Sequence, residues 1–507
     1  MCENVIDNKI LEQRQLLKDR GICVIIPTYN NVGTIVDVVT RAKFQCDDVI
    51  VVSDGANDGT LELLRNLENI VIVKLENNQG KGSALKHGFK KALELGFSYA
   101  ITIDADGQHY PEDIPCLLSE NIKNPGTIIV GERKNLEKME RSAGSKFANK
   151  FSNFWFFVQT GQWLNDTQTG YRLYPIKKIR GLNFLTSRYE AELELLVFAS
   201  WHGTKIISTP VNVFYPPKEE RVSHFKPTLD FTRISILNTI LCVLAVVYGL
   251  PLNILRTILK LGVSLYSFLF FLLTSLFILT PITMLYVSIG GNDERKQRKI
   301  RKLIHLFARF IMVWHGIPRV KFKTNSASDE IEKSPSIIIC NHQSHLDLMA
   351  LLSQIENVVF MTNNWVWNSP LFGYVIQKAG YILASEGVEN TEHKIRVLIE
   401  KGVNVAIFPE GTRSVDCSIN RFHSGAFYLA KSLNVQILPA ILYGAGKVLP
   451  KKGKLFNAGI IEVYFDNRIN ICELVKEHKT MRGLASYMRK YYQKRYSEIS
   501  NKIEQNV

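Results

Sequence analysis

Two clusters of residue types in this chain are suited to chemistry. The first is Asp104-Ala105-Asp106-Gly107-Gln108-His109, directly after the apolar run Tyr99–Ile103. Alternate residues of an extended segment share a side. The two carboxylates and an amide oxygen therefore form a donor set for a hard divalent cation. A cation there would neutralise a nucleotide diphosphate and stabilise it as a leaving group. A lone Asp-x-Asp is often only an exposed turn, but this one has company. Pro27-Thr28-Tyr29-Asn30 and Ser53-Asp54-Gly55-Ala56-Asn57-Asp58-Gly59-Thr60 end two further apolar runs. Asn78-Gln79-Gly80-Lys81-Gly82 opens a helical pattern, where free N–H groups and Lys81 suit phosphate.

The second cluster is Asn341-His342-Gln343-Ser344-His345-Leu346-Asp347, after the apolar run Ser336–Cys340. On one continuous helix His342 and Asp347 would stand about 140° apart and would not meet. They meet if His342 lies in the loop and Asp347 in the first turn of the next helix. Asp347 then fixes one imidazole tautomer, and the other nitrogen is free to take a proton from an alcohol. The run Val403–Phe408 ends in Phe408-Pro409-Glu410-Gly411-Thr412-Arg413-Ser414, where Arg413 offers a forked donor for phosphate.

The elements that must hold these clusters are legible as patterns. Cys23–Pro27, Asp48–Ser53, Val71–Lys74 and Tyr99–Ile103 are short apolar runs of the buried parallel-strand kind, with helical patterns at 33–45, 58–67 and 81–95 between them. That is an α/β sheet over 21–230, following a short extension at 1–20, with ligands expected at the carboxyl ends of the strands. Residues 324–507 repeat the style, with strands at Ser336–Cys340 and Val403–Phe408, but not the sequence.

Between the two parts, 234–255 and 261–290 carry no charge. About 20 apolar residues span a bilayer as a helix, so 234–290 reads as membrane-associated. Asn238, Gly249, Pro251 and Asn253 interrupt the first stretch, which spans, re-enters or lies in the interface. The segment 291–323 has ten Lys or Arg against two Asp or Glu, a net +8 within a chain of net +15. This places a juxtamembrane cluster on the cytoplasmic side, facing anionic lipid. A two-pass hairpin fits both flanks, although Arg256 and Lys260 in its short connection do not. No nucleic-acid-binding motif accompanies the charge, so nucleic acid is not an expected partner. Eight scattered Cys without a C-x-x-C pair speak for a reducing compartment. Residues 1–20 are too charged for a signal peptide. The tail, 479–496, mixes cations with Tyr487, Tyr491, Tyr492 and Tyr496 and reads either as a helix on the membrane or as a solvated one.

Taken in order, the motifs of 21–230 resemble family 2 glycosyltransferases of the GT-A fold, especially the dolichol- and polyprenyl-phosphate sugar transferases. Besides those quoted, the resemblance rests on Pro111-Glu112-Asp113, Asp166-Thr167-Gln168-Thr169-Gly170-Tyr171-Arg172, Arg188-Tyr189-Glu190-Ala191-Glu192 and Arg221-Val222-Ser223-His224-Phe225. It implies that Asp104, Asp106 and Gln108 hold Mg²⁺ or Mn²⁺. Pro27, Tyr29, Asp54 and Asp104 would line the nucleotide-sugar site, with Lys81, Arg133 and Arg141 near the phosphates. Asn31 and Ser53 depart from the common Glu and Asp, which bears on the nucleotide's base and not on the reaction. An inverting transfer to a hydroxyl needs a general base, whereas an ionised lipid phosphate does not. Asp166, Glu190 and Glu192 are the base candidates. The sequence leaves open whether they instead orient a loop or pair with cations. His109 reads as a loop residue.

The second cluster resembles the glycerolipid acyltransferases of the 1-acylglycerol-3-phosphate type. N-H-x-S-x-x-D, F-P-E-G-T-R-S, Arg421-Phe422-His423-Ser424-Gly425-Ala426 and an apolar strand with Pro439 follow in the family's order. The resemblance implies His342 as general base, Asp347 as its orienter, and Glu410, Gly411, Thr412 and Arg413 in acceptor binding. The implied donor is an acyl thioester on CoA or acyl carrier protein. His345, His423, Cys340 and Cys417 read as bystanders.

The expectation is therefore an α/β chain with a GT-A nucleotide-sugar domain, central membrane segments and an α/β acyltransferase domain. Its two catalytic parts would face the cytoplasm at a bacterial inner membrane. It would transfer sugar from a nucleotide-sugar to a lipid or polyprenyl-phosphate acceptor, and acyl groups to a lipid hydroxyl, in glycolipid synthesis. Two rivals stand beside this: independent activities on separate products, or one half reduced to a lipid- or nucleotide-binding module.

Overall fold

A computed structural model of the chain describes residues 2–134, 143–182, 186–214, 227–289, 293–314, 320–324, 331, 334–478 and 480–505. Its residues divide into two compact units, Met1–Arg256 with Asn501–Val507, and Thr257–Ser500.

In the first unit the strands are β1 Ile22–Thr28, β2 Val49–Asp54, β3 Val71–Leu75, β4 Tyr99–Thr102, β5 Ile128–Arg133, β6 Arg172–Tyr174 and β7 Ile206–Val211. They form one sheet in the order β3-β2-β1-β4-β6-β5-β7. All pairings are parallel except the two made by β6. Every residue of β1 and β2 is buried, because helices cover both faces. One core joins Ile25 and Val52 to Phe89, Leu196 and Trp201; the other joins Val24 and Val51 to Val38 and Leu117. The carboxyl ends of β1, β2 and β4 release the 27–31, 54–60 and 103–109 loops side by side.

In the second unit β8 Val320–Thr324, β9 Ile337–Cys340, β10 Val358–Thr362, β11 Ile382–Leu383, β12 Asn404–Ile407, β13 Ile437–Tyr443 and β14 Gly459–Phe465 are ordered β11-β10-β12-β9-β13-β14-β8. Only the β13–β14 pairing is antiparallel. Central β9 and β12 carry the two polar motifs at their carboxyl ends.

The apolar middle of the chain is one helical run, long and apolar enough over Thr232–Ser288 to cross a membrane, and mostly exposed. π-helical turns at Ala245–Gly249 and Ser275–Leu279 interrupt its regularity, but no turn separates the two apolar stretches. The hairpin expected at 256–260 is replaced by helix. Arg256 reaches back along it, to Asn253 Oδ1 at 2.9 Å and the Trp201 carbonyl at 2.8 Å. The 57 residues rise far more than the roughly 30 Å hydrocarbon core at about 1.5 Å each.

Two expectations about charge change with packing. The basic segment contains the Glu294–Arg309 helix, which buries Ile300, Ile304, Phe307 and Arg301. Arg301 donates to Asn357 Oδ1 at 2.8 Å and the Ala379 carbonyl at 3.0 Å, and pairs with Glu294. It is a core residue and not a headgroup ligand. The tail helix Met481–Gln505 buries Leu484, Met488 and Tyr492, with the Tyr492 hydroxyl on the Ile339 carbonyl at 2.6 Å. That face belongs to the β9 strand, so the helix does not offer it to a bilayer.

Candidate active sites

In the first unit the loops at the sheet's carboxyl edge hold one another. Asp54, ending β2, accepts the Gln79 and Gly80 N–H groups at 2.8 Å each. The next residue, Gly55, has φ +67° and lies so near Asn77 and Asn78 that a Cβ would sit 2.6 Å from their backbone. Asn30 Oδ1 accepts the Asn57 N–H at 2.9 Å, joining the Pro27–Asn30 loop to the next. Asp54 thus spends both oxygens on the loop that delivers Lys81.

Lys81 begins the Lys81–Glu94 helix, and its buried ammonium bridges Asp104 (2.6 Å) and Glu192 (2.7 Å). Burial works against that charge, yet the two carboxylates hold its pKa above the usual lysine range. Asp104 is held low despite burial, chiefly by Lys81. Asp106 has no such partner; burial and the neighbouring Asp104 push its pKa up to about 6. Its Oδ1 accepts the Gln108 N–H at 3.0 Å. Gly170 packs against the pair so closely that a Cβ would lie 2.5 Å from Asp104 Oδ2 and 2.6 Å from Lys81 Nζ.

Asp166 is fully buried and takes both arms of the Arg133 guanidinium, at 2.6 and 2.8 Å. Burial would raise its pKa, but the Arg133 bonds outweigh burial and hold it low. The base candidates Asp166 and Glu192 are therefore each in an ion pair, while Glu190 has one buried oxygen, Oε2, without a hydrogen bond among the described residues. His109 is buried 5.3 Å from the Tyr171 ring, with Nδ1 lacking a hydrogen-bond partner among the described residues. Burial lowers its pKa to about 4, so it is a neutral imidazole. The structure brings Lys81, Asp104 and Glu192 into direct contact and pairs Arg133 with Asp166. Pro27 and Tyr29 stand at the end of β1. Arg141 and the 221–225 block lie outside the described residues.

A divalent cation suits this donor set. Two adjacent carboxylates share a half-buried site, and the repulsion from Asp104 that adds to burial in raising Asp106 is what a cation would relieve. Glu192 Oε1 is a further buried oxygen without a hydrogen-bond partner among the described residues. No cluster of three or more His, Cys, Asp or Glu that could hold a metal ion occurs among the described residues.

In the second unit His342 follows β9, and Asp347 is the second residue of the Leu346–Leu352 helix. The imidazole Nδ1 lies 2.9 Å from Asp347 Oδ2. The same oxygen accepts the Gln343 and Ser344 N–H groups at 2.5 and 2.8 Å, which pins the fully buried carboxylate. The His342 ring stacks on Phe408 at 4.2 Å. Its Nδ1 engaged, the imidazole presents Nε2 as the proton acceptor.

Glu410, expected at the acceptor, also has a structural place. It is buried and braces two loops, accepting the His342 N–H at 2.8 Å and the Asn420 N–H at 2.9 Å. Gly411 and Thr412 are exposed and Arg413 half-buried. Lys451, which the motifs do not include, donates to Thr412 Oγ1 (3.0 Å) and the Arg413 carbonyl (2.6 Å). Its only sequence signal is the cation-rich run 447–454. Burial pushes the Cys417 thiol up to about 11 and also raises Cys340, so neither is a thiolate.

Comparison with known proteins matches each site to a family. Residues 23–174 match the family model for glycosyl transferase family 2, and residues 318–443 that for acyltransferase. A UDP-N-acetylglucosamine–dolichyl-phosphate N-acetylglucosaminyltransferase of Methanococcus voltae is 31% identical over 220 residues, 39% of this chain and 88% of that protein. A chloroplastic 1-acyl-sn-glycerol-3-phosphate acyltransferase of Arabidopsis thaliana is 30% identical over 179 residues, 34% of this chain. The chain spans only 49% of that relative's length. The crystal structure of the 1-acyl-sn-glycerophosphate acyltransferase from Thermotoga maritima superposes with a TM-score of 0.42 at 19% identity, over 48% of this chain and 98% of that one.

Proposed function

We propose that the chain, which belongs to glycosyltransferase family 2 and also carries a region matching the acyltransferase model, is a dual transferase. From that premise we propose a membrane enzyme of bacterial glycolipid synthesis. It moves a sugar from a nucleotide-sugar to a lipid acceptor and an acyl group from a thioester to a lipid hydroxyl. The observation that carries this reading is that both polar clusters are assembled, Lys81–Asp104 in one unit and His342–Asp347 in the other.

In the first unit Pro27, Tyr29 and Asp54 border the nucleoside, and Lys81, Arg133 and Arg141 serve the phosphates. Asp104, Asp106 and Gln108 hold Mg²⁺ or Mn²⁺, which when bound supplies charge neutralisation for the departing diphosphate. Lys81 orients Asp104 and gives up part of its pairing when the diphosphate arrives.

In the second unit His342 Nε2 takes the proton of the acceptor hydroxyl as that oxygen attacks the thioester carbonyl. The thiol leaves, and Asp347 stabilises the imidazolium through Nδ1–H. Gly411, Thr412 and Arg413 border the acceptor's anionic group, and Glu410 holds the loops to either side. The exposed apolar helix and the cations of 291–323 support placement at the inner membrane.

One observation favours a second reading. Asp166 and Glu192 are both engaged in ion pairs, which leaves Glu190 as the base candidate with an oxygen lacking a hydrogen bond among the described residues. An ionised polyprenyl phosphate needs no base, so the sugar product would be separate from the acylated lipid.

Lipid mass spectrometry of cells expressing wild type, Asp104→Ala or His342→Ala decides between these readings. Loss of one glycosylated, acylated lipid in both variants, with a precursor accumulating in one, supports the shared product. Loss of a different lipid in each variant refutes it and leaves two independent activities.

A further inference from the structure

The Ala143–Thr160 helix is polar on the inside and aromatic on the outside. Its buried face holds Asn149, Ser152, Asn153 and Gln159 beside Phe156. Asn153 Oδ1 accepts the Thr167 N–H (3.0 Å) and hydroxyl (2.8 Å), and its Nδ2 donates to the Asn165 carbonyl at 2.7 Å. Ser152 Oγ lies 2.8 Å from Thr167 Oγ1. The inner face thus holds the 165–170 loop, which carries Asp166 and Gly170.

The outer face exposes Phe147 (60%), Phe154 (51%), Phe157 and Val158, followed by Trp163 (60%). Ring contacts join Phe147 to Phe151 at 5.9 Å, Phe151 to Trp155 at 6.0 Å and Phe157 to Trp163 at 5.9 Å. A helix facing water shows the opposite arrangement, and an apolar patch of this extent marks an interaction site.

Two observations identify what covers it. The helix packs against the exposed apolar run: Gln159 Nε2 donates to Asn238 Oδ1 at 3.0 Å, and that run exposes Ile236, Ile240, Val243, Val246 and Val247. The patch is also made of Phe and Trp, the rings that seat at the boundary of headgroups and acyl chains.

We propose that the aromatic face of the Ala143–Thr160 helix, with Trp163, is an interfacial membrane-binding surface that holds the 165–170 loop of the sugar site at the lipid surface. The consequence for sugar transfer rests on the lipid-acceptor reading above; the lipid contact itself does not.

The test uses the full chain in vesicles of phosphatidylethanolamine and phosphatidylglycerol. p-Benzoylphenylalanine replaces Phe154 or, as control, Phe44, which is exposed on the Ile35–Gln45 helix. Irradiation is expected to give a phospholipid adduct from position 154 and none from position 44. No adduct at 154, or one to a second copy of the chain, overturns the proposal. Because crosslinking needs no turnover, absent sugar transfer would sink the proposed function without touching this result.

Replacing Phe147, Phe154 and Phe157 together by Ser should then raise the KM for a vesicle-embedded acceptor about tenfold, as interfacial burial of three rings is lost. Hydrolysis of the nucleotide-sugar in the absence of lipid should be unchanged, and Leu at the three positions should restore the KM. An unchanged KM, or equal loss in both assays, would overturn the proposal.

Discussion

Replacing Asp347 by Asn tests the acyl-transfer geometry with little change of shape. The Asp347 Oδ2 atom accepts three donors, the His342 imidazole and the Gln343 and Ser344 N–H groups. An Asn oxygen in the same place keeps the two backbone bonds but loses the charge that fixes the imidazole tautomer. A hydrogen bond to a charged group contributes about 1.5–3 kcal/mol, so a loss of roughly 2 kcal/mol in unfolding stability is expected. The catalytic cost is larger. A positioned general base contributes about 10²- to 10⁴-fold, and most of that depends on Nε2 being the free nitrogen. Thiol release from an acyl-CoA, followed with a lysolipid acceptor, should show kcat reduced about 10³-fold while the acceptor KM moves less than about threefold. Melting and urea unfolding of the same preparation separate catalysis from folding. A folded Asp347→Asn protein whose kcat stays within about tenfold of wild type would refute the assignment of His342 as an Asp347-oriented base.

Gly170→Ala should abolish sugar transfer and leave acyl transfer intact, because its Cβ would lie 2.5 Å from Asp104 Oδ2; parallel assays of both activities on one preparation check this. Lys81→Met leaves the half-buried Asp104 and the buried Glu192 without their shared cation, and differential scanning calorimetry should show a loss of about 1–3 kcal/mol in the first unit, less than for a fully buried pair. Asp166→Asn removes a carboxylate whose pKa Arg133 holds low. Wild type should therefore be the more stable protein above about pH 4, and the gap should close as acid protonates Asp166; melting from pH 6 to pH 3 reads it. Arg301→Met should destabilise the second unit by about 2–4 kcal/mol in urea unfolding, through the orphaned Asn357 and Ala379 acceptors, whereas an exposed neighbour such as Lys299→Met should not.

What sequence alone reveals here is where backbone must end and chemistry begin. β1, β2, β4, β9 and β12 are read correctly because each is a buried apolar run stopped by Asn, Asp or Pro. The His342–Asp347 contact is legible because a five-residue spacing has only one local geometry that joins the two. Packing partners are another matter. Arg301 looks like its neighbours in a basic run, and only the Asn357 side chain and Ala379 carbonyl, far along the chain, make it a core residue. Glu410 sits in a motif suggestive of ligand binding, yet its carboxylate is spent on two backbone N–H groups that no pattern displays. Arg256 and Lys260 argue against a hairpin on charge grounds, but only the structure shows the helix running on past Pro251, which stands in the first turn after the π-helical Ala245–Gly249 segment.

The two sites also differ in what they lack before substrate arrives. Around His342 the needed charges are in place: an anion behind the imidazole, an apolar ring beneath it, and an oriented loop beyond. Nothing there requires neutralising. The sugar site, by contrast, gathers three carboxylates, with Asp104 and Glu192 sharing the Lys81 ammonium and Asp106 pushed up to about 6 by burial and by Asp104. Such a site is stabilised by whatever brings positive charge, and a metal–diphosphate complex brings both that charge and its own anionic oxygens. Lys81 can then turn from Asp104 toward phosphate without leaving a buried carboxylate unpaired.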